Sequence, residues 1–209
     1  LEHLSFATGA RIDTGVRSGD AITPFYDPMI AKITVKGADR MQAIRGMARA
    51  LAETRIAGTT TNLRFLKRLI ALPEFVSGQV ETGLIGQRLE SLTAASLPTD
   101  EELALAAVAA LDPNWQPDVG FALWSPLRHH VTLAEETVVV TFADRGAEAN
   151  VRGRRIPIVR KGDAWWVNGR KTDAETVRTV DGVSVFLRQG LHFMIPDPLA
   201  RSGDSEGAG

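Results

Sequence analysis

The segment Tyr26-Asp27-Pro28-Met29-Ile30-Ala31-Lys32 is the most informative stretch of this chain. Pro28 has no N–H to donate to a sheet, and it biases Asp27 toward extended backbone, so the segment predicts a loop that leads into a strand. Alternating apolar residues continue the strand to about Val35, and Gly37 ends it. On local grounds alone, the tyrosine is a buried ring and the aspartate caps a turn.

Motifs on both sides of this segment form an ordered series. They are Arg11-Ile12-Asp13-Thr14-Gly15-Val16, Gly19-Asp20, Asp39-Arg40, Gly58, Thr61-Asn62, Phe65-Leu66, Pro73-Glu74-Phe75, Gly78 and Thr82. Taken together, residues 4 to about 92 resemble the C-terminal subdomain of biotin carboxylase, the ATP-grasp component of biotin-dependent carboxylases. Residues 11–20 and 73–82 are most similar to the alpha, biotin-containing subunit of 3-methylcrotonyl-CoA carboxylase. Propionyl-CoA, acetyl-CoA and geranyl-CoA carboxylases remain alternatives.

Composition limits the classes of function. The 209 residues can form one large domain or two small ones, and an apolar content of 44% is enough for a packed core. A net charge of −1 gives no reason to expect nucleic acid or an anionic membrane as a partner. The lack of cysteine excludes disulfides and thiolate metal sites. No apolar run approaches membrane-spanning length.

The sequence predicts an α+β chain whose organisation changes near residue 112. Residues 1–95 are expected to form the biotin carboxylase C-terminal subdomain, an incomplete ATP-grasp fold. Residues 96–112 are expected to form a linker and a helix, and residues 113–198 a small antiparallel β-barrel. Residues 199–209, rich in Gly, Ser and acidic side chains, are expected to be a disordered tail.

Helical periodicity dominates the first part of the chain. Asp39 is expected to cap a helix whose apolar face carries Met41, Ile44, Met47, Ala48 and Leu51. A second helix is predicted to start near Thr61 and to stop before Pro73. Thr82 is expected to cap a third helix.

The second part begins with a capping box, Thr99 with Glu102, for a helix that runs to about Leu111. Short β-branched runs separated by turn dipeptides follow it. The strand candidates are His130–Leu133, Thr137–Phe142, Arg155–Val159, Ala164–Val167, Val183–Leu187 and Leu191–Ile195. Dipeptides such as Asn168-Gly169 suit the positive φ angles of tight hairpins, so we predict an antiparallel meander that closes into a barrel.

The resemblance implies partners and cofactors. The β-rich part corresponds to a module that contacts the carboxyltransferase (beta) subunit in acyl-CoA carboxylases. A biotinyl domain with an Ala-Met-Lys-Met sequence would follow it, and no such sequence occurs here. The full-length enzyme would use ATP, magnesium and biotin, in the cytoplasm of a bacterium or in the mitochondrial matrix. No catalytic residue and no bound cofactor are expected in this chain, which begins within the family pattern and is interpreted as a fragment.

The resemblance also implies roles for a few residues. A loop near the biotin and bicarbonate site would contain Tyr26, Asp27 and Met29. Leu84 and Ile85 would form an apolar shelf for the adenine ring. The alternative for these last two residues is ordinary packing in a helix core, because a stripe at helical spacing usually packs.

Three residues are candidates for contacts with other chains. Arg11 corresponds to a position near the dimer interface of bacterial biotin carboxylase, and a plain surface arginine is the alternative. Trp165 and Trp166 alternate faces in a strand. One of them is therefore expected to fill the core and the other to anchor a partner surface.

No metal site is predicted. His129 and His130 are adjacent, so a strand directs them to opposite faces. The other two histidines lie far away in the sequence, and the chain has no cysteine. The run Arg152–Arg155 is interpreted as a solvated turn, with a docking patch for acidic groups as the alternative.

Two hypotheses follow. In the first, the chain is the middle of an acyl-CoA carboxylase alpha subunit and forms one wall of a site that is completed elsewhere. In the second, it is a non-catalytic interaction module. The ability to cleave ATP would separate the two.

Overall fold

The structure is a computed structural model that describes residues 1–22, 29–95, 97–111, 128–133, 135–143, 146–187 and 191–196. The chain divides into two units, Leu1–Leu97 and Pro98–Gly209. The first unit mixes short strands with four helices among the described residues, and the second is one helix with antiparallel sheet. This agrees with the predicted combination of helix and strand.

Four short strands in the first unit pair as two antiparallel ribbons. The strands are β1 (His3–Ser5), β2 (Arg11–Thr14), β3 (Ala31–Thr34) and β4 (Arg55–Ala57). β1 pairs with β4, and β2 pairs with β3. β3 is the strand predicted after Pro28, and it begins once the chain has passed the proline, which cannot donate to a ladder. Tyr26 and Asp27 lie outside the described residues.

The helices of the first unit are α1 (Arg40–Glu53), α2 (Leu63–Ala71), α3 (Pro73–Ser77) and α4 (Leu84–Thr93). The Asp39 carboxylate accepts a hydrogen bond from the Gln42 N–H at 2.7 Å, which confirms the predicted N-cap of α1. Two residues of the predicted apolar face of this helix, Met41 and Ala48, are exposed, and its buried positions are Ala50 and Leu51.

Two boundaries differ from the prediction. Thr82 does not cap α4, because Gly83 occupies the N-cap position and no side chain caps the helix. The predicted break at Pro73 is followed at once by a new helix, α3, since proline fits the first turn, where its missing N–H has no helical partner. Gly78 ends α3 with φ 83°, a left-handed conformation that glycine adopts without steric cost.

The core of the second unit is built around α5 (Asp100–Leu111). Thr99 and Glu102 form the predicted capping box: Glu102 Oε2 accepts from the Thr99 N–H at 2.8 Å, and Thr99 Oγ1 accepts from the Glu102 N–H at 3.2 Å. Every residue from Leu103 to Leu111 is buried. A helix that is apolar on all sides must be enclosed on all sides, and here it packs against strands from both sheets of the unit.

The strands of the second unit form two antiparallel sheets. They are β5 (Arg128–Leu133), β6 (Glu136–Ala143), β7 (Gly146–Val151), β8 (Arg154–Lys161), β9 (Ala164–Val167), β10 (Arg170–Thr172), β11 (Ala174–Thr179), β12 (Gly182–Leu187) and β13 (His192–Ile195). The first six form one sheet in sequence order, and the last three form the other. No ladder joins the two sheets among the described strands, so a closed barrel is not found there.

All six predicted strands have counterparts, and β7, β10 and β11 were not predicted. β7 alternates small and polar residues, Ala147, Glu148, Ala149 and Asn150, which gives a weak strand signal. The hairpin prediction at Asn168-Gly169 agrees with φ angles of 49° and 75°. A second turn of this kind is formed by Arg152 and Gly153, with φ 51° and 81°.

Charged side chains connect these two turns to the start of α5. Asp100 accepts from Arg152 Nη1 at 3.2 Å and from Arg154 Nη1 at 2.7 Å. Asn168 Nδ2 donates to Glu101 Oε1 at 2.7 Å. The run Arg152–Arg155 is therefore largely engaged within the unit. No helix among the described residues has the length and apolar character needed to cross a membrane.

Candidate functional site

β3, the strand in which the segment Tyr26–Lys32 ends, borders an apolar groove in the first unit. Met29, the one predicted biotin-loop residue within the described part, is 62% exposed and lies at the groove. Lys32 is exposed on β3 and lies directly across the ribbon from Asp13 of β2, an environment typical of a solvated strand lysine. The structure thus brings Met29 to the edge of a large concave surface.

The apolar groove has a volume of about 1290 Å³. It lies against β3, α1, α2 and α3, and its apolar lining includes Ile33, Val35, Ile44, Met47, Leu51, Leu63, Leu66, Leu69 and Phe75. Most of these side chains are only partly buried, although they occupy the positions that would form a core. Exposing so much apolar surface to water is unfavourable, and a concave apolar surface of this kind is typical of binding and packing interfaces.

Polar groups at the rim of the groove already have structural partners. The Asp39 carboxylate caps α1. Arg40 donates to the carbonyls of Phe75 and Val76 at the end of α3, and its guanidinium carbon lies 5.4 Å from the centroid of the Phe75 ring. These contacts leave the groove with a surface suited to packing rather than to acid-base chemistry.

The two predicted adenine-shelf residues differ in environment. Leu84 is 5% exposed and packs within the first unit, whereas Ile85 is 47% exposed on α4. Leu89 lies one turn further along the helix and is also exposed. Of the two predicted residues, Ile85 is the one that presents apolar surface to a ligand or to another segment.

Arg11 lies on β2 with its side chain 77% exposed, and it pairs with Asp13 of the same strand at 3.1 Å. Such an exposed pair contributes little to stability. The side chain is therefore accessible to a partner, as either predicted interpretation requires.

The two tryptophans lie on opposite faces of β9. Trp165 is 3% exposed and belongs to the core around α5, so it is not available as an interface anchor. Trp166 lies on the other face, directly across from Val159 and Lys171, and Lys161 Nζ lies 5.2 Å from the centroid of its ring. We call Trp166, Val159, Lys161 and Lys171 the Trp166 patch.

The described residues contain no group of three His, Asp or Glu side chains that could hold a metal ion. His129 and His130 lie on opposite faces of β5, as the strand geometry requires. His129 packs edge-on against Phe142, with ring centroids 5.6 Å apart, and burial lowers its pKa from the ordinary value of 6.5. This environment is that of a packed side chain.

One cationic cluster was not predicted. Arg64, Lys67 and Arg68 share a face of α2, and Arg55 of β4 interacts with Lys67. Burial, reinforced by the charge of Arg55, lowers the pKa of Lys67 to about 8. The available sequence signal was the spacing i, i+3, i+4 of three cations on one helix that contains no acidic residue.

Comparison with known proteins identifies the first unit. Residues 1–87 match the family described as "Biotin carboxylase C-terminal domain". This part of the chain belongs to that family. The match covers the ribbons β1–β4 and β2–β3, all of α1, α2 and α3, and the start of α4.

Relatives extend the similarity into the second unit. The mitochondrial methylcrotonoyl-CoA carboxylase subunit alpha of Dictyostelium discoideum is 43% identical over 170 residues, which cover 71% of this chain and 24% of that protein. Its counterpart from Mus musculus is 40% identical over 111 residues, covering 52% of this chain and 15% of that protein. The propionyl-CoA carboxylase alpha chain of Sus scrofa is 34% identical over 103 residues, 49% of this chain and 14% of that protein.

The biotin carboxylase C-terminal domain and its neighbour are therefore one part of a larger protein in these relatives. The chain spans about a quarter of the length of the Dictyostelium subunit. A solved single-chain, multi-domain long-chain acyl-CoA carboxylase aligns over 90% of this chain and 18% of its own, at 26% identity and a TM-score of 0.42.

Proposed function

We propose that this chain is a section of the biotin-carboxylating alpha subunit of an acyl-CoA carboxylase, with 3-methylcrotonyl-CoA as the substrate of the full enzyme. The observation that carries the proposal is the 43% identity over 170 residues with a methylcrotonoyl-CoA carboxylase alpha subunit. An alignment of that length cannot fit within the first unit of 97 residues, so it includes part of the second unit. Both units, rather than the first alone, then come from such a subunit.

In this proposal the first unit is one wall of an ATP-grasp biotin carboxylase. The apolar groove supports the idea, because its partly buried core positions need the remainder of that fold to cover them. Met29 would lie beside biotin and bicarbonate, together with Tyr26 and Asp27, and Ile85 would border adenine with Leu84 packed behind it.

The described residues do not supply the catalytic centre that phosphoryl transfer from ATP with magnesium requires. Phosphoryl transfer requires a cradle of N–H donors and cations with carboxylates that hold the metal. The described residues bring no three acidic or histidine side chains together that could hold a metal ion. We therefore derive no step of biotin carboxylation within this chain.

The second unit is proposed to dock on the carboxyltransferase subunit, as a helix enclosed by a barrel-like pair of antiparallel sheets. β13 lies beside β5, which is the approach that closure of the two sheets would need. The Trp166 patch is the proposed anchor, because a tryptophan flanked by cations on an outer sheet face has the composition of a binding hot spot.

One experiment tests the catalytic assignment and a second tests docking. The purified chain with ATP, magnesium, bicarbonate and free biotin is expected to cleave no ATP, and cleavage would refute the claim that its catalytic groups lie elsewhere. In the full-length subunit, deletion of residues 112–197 is expected to abolish association with carboxyltransferase while ATP cleavage with free biotin persists. Unchanged association after the deletion would refute the docking assignment.

The acyl substrate has a second candidate. Propionyl-CoA carboxylase alpha chains are also similar to this chain, at 34% identity over 103 residues in Sus scrofa. Assays of the reconstituted enzyme with the two acyl-CoA substrates distinguish them, and we expect the higher kcat/KM for 3-methylcrotonyl-CoA. The proposed location is the mitochondrial matrix, or the cytoplasm of a bacterium, with leucine degradation as the context.

A further inference from the structure

The cationic cluster on α2 has features that its structural role does not explain. Arg64, Lys67 and Arg68 are three and four residues apart, so their side chains leave the same side of the helix. Arg55 approaches Lys67 from β4. Like charges at such spacings repel one another, and all four side chains are partly withdrawn from water.

Two of the four cations have clear structural contacts. Arg55 Nη1 donates to the carbonyls of Ala52 and Thr54 at the end of α1. Arg68 Nη1 donates to the carbonyls of Leu92 and Ala94 at the end of α4. These arginines therefore complete helix C-termini, where positive charge is favourable.

The other two cations lack such contacts among the described residues. Arg64 Nη2 is buried and has no hydrogen-bond acceptor. Lys67 forms no ion pair with a carboxylate of the described residues. Burial, together with the positive charge of Arg55, lowers the pKa of Lys67 to about 8. A buried donor without an acceptor is costly, and so is a desolvated ammonium beside a guanidinium.

An oxyanion would satisfy both side chains at once. Its oxygens would accept from the partly exposed guanidinium of Arg64 and from the ammonium of Lys67, three residues further along α2, and its charge would offset the repulsion with Arg55 and Arg68. A phosphate group carries up to two negative charges and several acceptors, and the fork of a guanidinium matches its geometry. A single carboxylate would leave more of the cationic charge uncompensated.

We propose that the face of α2 formed by Arg64 and Lys67, with Arg55 and Arg68 at its borders, binds the phosphate group of a small molecule. This face lies apart from the apolar groove, whose α2 contacts are Leu63, Leu66, Leu69 and Ile70. The inference does not depend on biotin carboxylation, and it assigns a second ligand surface to the first unit.

The experiment titrates inorganic phosphate into the whole chain at pH 7, with sodium chloride replacing phosphate at equal ionic strength. NMR of isotope-labelled lysine side chains follows Lys67. We expect saturable binding and a rise of the Lys67 pKa when phosphate is bound. Arg64→Gln and Lys67→Gln are each expected to weaken binding about tenfold or more, since each removes a charge-assisted hydrogen bond.

Matched controls remove the same charge elsewhere in the unit. Lys32→Gln on β3 and Arg45→Gln on α1 affect exposed cations and are expected to change phosphate affinity by less than about twofold. The two cluster variants are expected to fold at least as stably as the parent without phosphate, because each relieves like-charge repulsion. Circular dichroism on heating checks this.

Three outcomes would overturn the proposal. If the binding response does not saturate with phosphate concentration, phosphate acts by ionic screening only. Equal weakening by the control variants would mean an adventitious ion only. Binding of a glutamate-rich peptide without any binding of phosphate would assign the cluster to an acidic protein segment instead.

Discussion

The charged contacts at the start of α5 predict how much one substitution lowers the free energy of unfolding. Asp100 lies in the first turn of a buried helix, and its side chain is 14% exposed. It pairs with Arg152 at 3.2 Å and Arg154 at 2.7 Å, whose side chains are 45% and 68% exposed. We predict that Asp100→Asn, which keeps the size and removes the charge, destabilises the second unit.

The expected loss follows from the contacts. Two ion pairs with largely exposed arginines contribute about 0.2–1 kcal/mol each. Negative charge near a helix N-terminus contributes about 0.3–1 kcal/mol more. Because asparagine keeps part of the hydrogen bonding, we expect a loss of about 1–2 kcal/mol in the free energy of unfolding, which becomes smaller at about 1 M salt.

The assay uses the positions of the tryptophans. All four tryptophans lie after residue 98, so urea unfolding followed by tryptophan fluorescence reports on the second unit alone. A double-mutant cycle with Arg154→Gln is expected to give a coupling of about 0.2–1 kcal/mol. Glu148→Gln is the matched control, because its 3.7 Å pair with Arg155 is exposed and lies away from the helix terminus. Equal losses for Asp100→Asn and Glu148→Gln, or a coupling of zero, would refute the reasoning.

Three further predictions use the same fluorescence assay. Leu103→Ala is expected to lower the free energy of unfolding by about 2–5 kcal/mol, because Leu103 is fully buried against the sheets. A loss below about 1 kcal/mol would contradict the enclosed position of α5. Gly182→Ala is expected to lower the free energy of unfolding by more than about 1 kcal/mol. The φ angle of Gly182 is 144°, and an added Cβ would lie 2.1 Å from the carbonyl oxygen of Ile195. A neutral result would mean that β13 pairs differently. The free energy of unfolding is expected to fall as pH drops below about 6.5, because burial lowers the pKa of both His129 and His192 and the unfolded chain binds these protons more readily. His129→Phe should reduce this dependence and leave the part that comes from His192. An unchanged slope would exclude His129 as a source.

The sequence determined much of the local structure. Asp39 with Gln42, and Thr99 with Glu102, predicted two helix starts, because a cap is a contact between residues three positions apart. The strand after Pro28 and the turn at Asn168-Gly169 followed from backbone restrictions that belong to single residues. The motif series also predicted the biotin carboxylase C-terminal domain, which the family match confirms.

Tertiary structure decided which of several similar residues is buried, and which surface stays open. Trp165 and Trp166 are adjacent and chemically identical, and only the register of β9 against β8 directs Trp165 into the core. The apolar residues of α1 and α2 predicted helix faces, but the groove that they border depends on how these helices meet β3. The cationic face of α2 depends in the same way on Arg55, which is nine residues from Arg64 in sequence and reaches Lys67 only through the fold. Local sequence specifies contacts within a turn, whereas burial and charge environment are set by neighbours that only the folded chain brings together.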